Sequence, residues 1–120
     1  MKPDQATIER VQQAIEKARQ AGETAAEQFR QSARCDIHGR VIGPCGYAFI
    51  ETNPVNTPVT GALLKLGIVR PKRGAPNYHV MLQFSFCTQS IDMDEEAAKA
   101  AARVLTEELG QKFSVRSCLD

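Results

Sequence analysis

Asn77-Tyr78-His79-Val80-Met81-Leu82-Gln83-Phe84-Ser85-Phe86-Cys87 alternates along its whole length. Tyr78, Val80, Leu82, Phe84 and Phe86 form an apolar set, and His79, Met81, Gln83, Ser85 and Cys87 a mixed one. Successive side chains of a strand point to opposite faces, so this period of two predicts a strand with one buried face.

On its N-terminal side, residues 74–77 carry Gly74, Pro76 and Asn77 and read as a turn. The turn joins the strand to residues 68–73, weakly extended and interrupted by Pro71, which a central strand would not tolerate. This is an expected edge strand. Further back, Thr57-Pro58 supplies a capping hydroxyl and a proline at the first helical position. Val59, Ala62, Leu63 and Leu66 form one face of the short helix that follows, stopped by Gly67. Before it, Cys45-Gly46-Tyr47-Ala48-Phe49-Ile50-Glu51 is a second strand pattern, ended by a turn around Pro54.

On the C-terminal side, Asp92 and Glu95 have capping spacing. Ala98, Ala101, Ala102, Leu105 and Leu109 form the buried stripe of a helix ending at Gly110, and residues 112–119 alternate as a closing strand. After residue 44 the expected order is strand, helix, strand, strand, helix, strand. This is the ferredoxin-like βαββαβ arrangement, an α+β fold with an antiparallel sheet. Right-handed crossovers place its first and third strands at the centre, with helices on one face. The other face is open, covered by the N-terminal segment, or covered by a second subunit.

That N-terminal segment, residues 4–34, is rich in Ala, Gln, Glu and Arg. Ile8, Val11, Ile15, Ala18, Ala25 and Phe29 recur at helical spacing. The segment reads as a long amphipathic helix; Gly22, with a capping-box pattern at Thr24 and Glu27, leaves open whether it is one helix or two with a break near Gly22. Residues 35–44 are turn-rich, with a short extended piece expected at 36–38.

A chain of 120 residues with 42% hydrophobic composition supports one domain with one modest core. Fifteen Lys and Arg against 14 Asp and Glu leave a net charge of +1, too little for a global field, so any charged partner must be read by a local patch. The polar start predicts no secretory leader, no stretch has membrane-spanning length, and a cytoplasmic protein is the simplest expectation. Its four cysteines should then stay reduced.

Three constellations carry chemistry. Cys45, Cys87 and Cys118 fall at one end of the expected sheet, and Cys35 with His38 lies just upstream. Thiolates and imidazole are zinc ligands, so Cys35, His38, Cys45 and Cys87 form a candidate zinc site, although their spacing matches no standard module. The strand that supplies His79, Met81 and Gln83 borders either Tyr47 and Phe49 or Ala48 and Ile50 on the face away from the helices, and the pattern does not fix which. Aromatics there would form a platform for unpaired bases; core packing is their commoner role. Lys65, Arg70, Lys72 and Arg73 are the local basic cluster, suited to phosphate or to charge protection of an edge strand. Neither His38 nor His79 lies in a nucleophile or metalloenzyme motif.

Cys45-Gly46-Tyr47-Ala48-Phe49-Ile50, the helix end Leu64-Lys65-Leu66-Gly67-Ile68, Gln89-Ser90 before an acidic alanine-rich helix, and terminal Ser117-Cys118-Leu119-Asp120 resemble small uncharacterised proteins of phages and other mobile elements. The likeness covers residues 45–120. Those proteins commonly have arginine where Cys118 stands, which argues against Cys118 as a shared ligand. The resemblance implies an accessory binding protein and names no activity. A non-catalytic binding or assembly module is therefore expected, homodimeric through the sheet face or the long helix. Single-stranded nucleic-acid binding by the sheet face and basic hairpin is the alternative, and a small enzyme using His79 or the thiols the third.

Overall fold

A computed structural model of the chain describes residues 3–38, 43, 46–53, 55–71, 77–82, 84 and 90–119. In order these form helix α1 (Gln5–Ser32), strand β1 (Gly46–Asn53), helix α2 (Pro58–Lys65), strands β2 (Val69–Pro71) and β3 (Tyr78–Val80), helix α3 (Ile91–Leu109) and strand β4 (Lys112–Leu119). The strands make one antiparallel sheet in the order β2-β3-β1-β4. The fold is α+β, with a long N-terminal helix and a four-stranded antiparallel sheet.

Helix α1 starts where the Asp4 side chain accepts from Thr7 N at 2.8 Å. It then runs unbroken for 28 residues. Of the two readings of this segment the single helix holds, and Gly22 lies in a seam between helices, where its missing side chain permits close approach. A Cβ there would strike the Phe84 ring, 2.7 Å from Cζ, and stand 3.0 Å from the Ala97 carbonyl. Thr24 and Glu27 are both interior to the helix, so they form no capping box. Glu27 instead accepts from Arg30 Nη2 at 2.7 Å.

The buried stripe of α1 is Ile8, Val11, Ala14, Ala18, Gly22 and Ala26, at spacings of three and four. It packs chiefly on α3, which turns Ala97, Ala98, Ala101 and Ala102 inward along with Leu105 and Leu109. Small residues on both sides let the helices approach closely. The pair is antiparallel: Arg10 near the start of α1 donates from Nη2 to the Glu108 carbonyl at 2.8 Å, meeting the unpaired carbonyls at the end of α3. Helix α1 thus lies on α3 and α2 rather than on the strands.

Ile50, Val69, Val80 and Phe113 project from the sheet into the core beneath α2 and α3. Thr57 caps α2, accepting from Thr60 N at 3.1 Å, with Pro58 at the first turn. At α3 the cap is Ser90, which accepts from Met93 N at 3.3 Å, and the expected cap Asp92 sits in the first turn where it meets the helix dipole. Gly110 ends that helix in the left-handed region at φ 66°. Residues 36–38 form a turn rather than an extended piece, with Asp36 Oδ1 accepting from His38 N at 2.9 Å.

Among the described residues, the alternating stretch that begins at Asn77 joins the ladder at Tyr78–Val80. Leu82 and Phe84 still pack on the core beyond it, and Gln83, Ser85, Phe86 and Cys87 lie outside the described residues.

One buried polar cluster ties the sheet to both neighbouring helices. Gln111 Nε2 donates to Thr52 Oγ1 at 2.6 Å and Thr60 Oγ1 at 2.9 Å, and Gln111 Oε1 accepts from Thr57 Oγ1 at 2.6 Å. Thr52 Oγ1 donates onward to the Lys112 carbonyl at 3.1 Å.

Two stability predictions follow from these contacts. Gly22→Ala would normally raise helix stability by about 1 kcal/mol, but here it should lower the urea midpoint, and Phe84→Leu in the same chain should restore part of the loss. Gln111→Leu removes one hydrogen bond from each of three threonine hydroxyls and should cost about 2 kcal/mol by the same measurement. A neutral result for either change would remove that contact from the list of those holding the fold.

Candidate functional site

The β1 register fixes which side chains face away from the helices. Ile50 and Thr52 point inward, so Tyr47, Phe49 and Glu51 point outward. Pairing extends this face across the sheet. Glu51 lies opposite His79 on one side and Ser114 on the other, and His79 lies opposite Arg70. One row along, Phe49 lies opposite Arg116, and beyond it Tyr47 opposite Cys118. Among the described residues no helix lies against this face.

Aromatic and basic groups alternate here. Tyr47 is 50% exposed, its ring centroid 6.0 Å from that of Phe49. The Phe49 ring centroid in turn lies 4.4 Å from that of the His79 imidazole, the two rings tilted by 40°.

Glu51 departs from the pattern. A charged residue in the row farthest from the helices would be expected in water, yet its side chain is only 2% exposed. Arg116 Nε stands 3.4 Å from Oε1, and His79 Nε2 stands 4.0 Å from Oε2. Neither contact is a hydrogen bond, and both Glu51 Oε1 and His79 Nε2 are buried without a hydrogen-bond partner among the described residues. The arrangement has charge compensation without hydrogen bonds. Stripping water from a carboxylate without replacing its donors is costly, so this group weakens the fold that holds it.

On the other side of the sheet, burial pushes the Asp94 carboxyl up from its ordinary value against a backbone hydrogen bond from Ala48 that lowers it.

Two hollows border the site. An apolar cavity of about 190 Å³ lies between the sheet and α3, lined by residues including Phe49, Ile50, Met81, Phe84 and Ala98. A cleft of about 400 Å³ runs between Arg19 on α1 and Arg70 on β2, past Gly67 and Met81. Neither is lined by His79 or Glu51, so the pocket converging on His79 that an enzyme would need is not among these two.

Of the residues expected from sequence, Tyr47, Phe49 and His79 come together on the open face, with exposed Met81 beside them. Gln83 lies outside the described residues. In the basic cluster, Arg70 sits on the sheet and Lys65 at the end of α2, while Lys72 and Arg73 lie outside the described residues. Of the candidate zinc ligands, Cys45 and Cys87 lie outside them too. Cys35 donates from Sγ to the Arg30 carbonyl at 3.7 Å. Among the described residues no group of three or more His, Cys, Asp or Glu side chains is placed to hold a metal ion, and no helix is long and apolar enough to cross a membrane. Sequence reading missed Glu51 and Arg116. The available signal was the lone acid inside an otherwise uncharged strand of residues 46–53.

No family model, curated protein or solved structure matches the chain.

The odd position of Glu51 yields a measurable contrast. Glu51→Gln removes a buried charge while keeping its shape, and should leave the urea midpoint unchanged or raise it. Arg116→Ala should cost about 1 kcal/mol in the native chain, since the partner is largely exposed, and close to nothing in the Glu51→Gln background. A large loss from Glu51→Gln alone would mark the carboxylate as a structural group.

Proposed function

We propose that the protein is a non-catalytic binding module whose partner seats on the open face of the sheet. The observation that carries this is the outward direction of Tyr47 and Phe49, with Arg116 in the row of Phe49 and with His79 and Arg70 in the next row of the same face. Flat aromatic surface flanked by guanidinium groups suits unpaired bases joined by phosphates, so single-stranded nucleic acid is the occupant whose chemistry this face best complements. The net charge of +1 is consistent with such a local patch.

A second reading seats another copy of the chain there. It draws on the exposed apolar area of Tyr47 and Met81 and gives the homodimer expected from sequence. We further propose that the architecture is a ferredoxin-like variant in which α1 precedes the βαββαβ elements, making the whole chain helix-first; the sheet order β2-β3-β1-β4 supports this. A role as an accessory protein of a phage or mobile element rests on the resemblance over residues 45–120.

Light scattering combined with fluorescence anisotropy on a labelled oligothymidine distinguishes the two occupants. A monomer that binds the oligonucleotide, weakened about tenfold by Tyr47→Ala and less by Arg116→Ala, supports the nucleic-acid reading. Two phosphate contacts, from Arg70 and Arg116, give an expected log–log salt slope of about −1.4. A dimer that Tyr47→Arg converts to monomer supports self-association. A monomer that binds no oligonucleotide removes both readings of this face.

A further inference from the structure

The Glu51 carboxylate is nearly fully buried on the face that carries the binding surface, and its Oε1 accepts no hydrogen bond. Native structures seldom strand such an atom, and a donor that arrives from outside the chain is one way to satisfy it. What that donor must be follows from the neighbours. Arg116 stands 3.4 Å from Oε1, His79 stands 4.0 Å from Oε2, and Arg70 lies opposite His79. An ammonium or guanidinium ligand would meet two arginines on its way to one carboxylate, which disfavours a cation. The ligand therefore brings neutral N–H donors. The Phe49 ring beside the site calls for a planar group, and the arginines call for an anionic tail.

Among nucleobases these demands single out one. Adenine and cytosine each offer a carboxylate one exocyclic amino group, next to a ring nitrogen that only accepts. Uracil and thymine offer one imino N–H between two carbonyl oxygens that repel it. Guanine alone presents two adjacent donors, the N1 imino and the N2 amino group, spaced to meet both oxygens of a carboxylate.

We propose that Glu51 reads an unpaired guanine, accepting from its N1 and N2 hydrogens while the base stacks at Phe49 and Tyr47. Arg116 is the gate: its side chain is 62% exposed and makes no hydrogen bond to the carboxylate, so it is free to leave Oε1 for an adjacent phosphate. His79 flanks the other carboxylate oxygen, its ring centroid 4.4 Å from that of Phe49. The inference rests on the reading of this face as a single-strand surface and adds a base preference to it.

The test uses the full chain and three fluorescent oligonucleotides about a dozen residues long. One is oligothymidine, one carries a central guanine, and one carries inosine there, which lacks only the N2 amino group. The native protein should bind the guanine strand about tenfold or more tighter than the other two. Glu51→Gln should bind all three alike, at the affinity native protein shows for oligothymidine, with an unchanged thermal midpoint. Equal binding of guanine and inosine strands by the native protein overturns the proposal without any substitution, and so does a guanine preference retained by Glu51→Gln. If Tyr47→Ala weakens all three equally while no guanine preference exists, the face still binds single strands and only Glu51's role falls. Absence of binding to every strand at low salt overturns both.

Discussion

The seam between α1 and α3 decides what the rest of the molecule exposes. Ala14, Ala18, Gly22 and Ala26 on one helix face Ala97, Ala98, Ala101 and Ala102 on the other, and side chains this small allow close contact along most of α1. Their burial adds less hydrophobic area per residue than leucine would, but the length of the contact compensates. Arg10 and Lys17 fasten one end through the Glu108 carbonyl and carboxylate, and Met93 packs with Ala26 toward the other. Because α1 spends its apolar stripe on α3 and α2, none remains to cover the sheet. The exposed face is therefore a consequence of helix packing rather than of the strands themselves.

That consequence places the site. Had α1 crossed to the other side, Tyr47, Phe49 and His79 would be core residues. Instead they form a surface of aromatic and basic groups resting on the rigid central strands β1 and β3, where backbone pairing fixes their spacing. The short edge strand β2 ends in Pro71, which discourages another strand from pairing beside the site.

Much of this was legible in the residues, and the failures have physical causes. Periodicity found every element, because period two and period 3.6 report which side of an element is buried. The same property is less informative beyond Val80: Leu82 and Phe84 continue the apolar alternation and pack on the core, although among the described residues the ladder ends at Val80. Burial pattern speaks for side chains and is silent on backbone pairing. Gly22 left one helix or two undecided, since a residue that weakens a helix locally is also the one a close interhelical contact demands. The direction of Tyr47 was undecidable from β1 alone because both parities, Tyr47 with Phe49 and Ala48 with Ile50, are apolar. Only the register with β3 and β4 resolves it. Glu51 escaped because a glutamate late in a strand reads as solvated, and its burial depends on residues far away in sequence.

Among the buried polar groups, the difference between Gln111 and Glu51 separates structure from function. Gln111 has both ends of its amide satisfied by threonine hydroxyls from β1 and α2, a closed network that fixes where the α3–β4 turn meets the sheet. Glu51 is as deeply buried, yet it has one unsatisfied oxygen, and neither Arg116 nor His79 makes a hydrogen bond to it. If fold stability alone governed the position, glutamine or an apolar residue would serve better there. A group that costs its own fold energy, on a face the helices leave open, is explained by an interaction absent from the isolated chain.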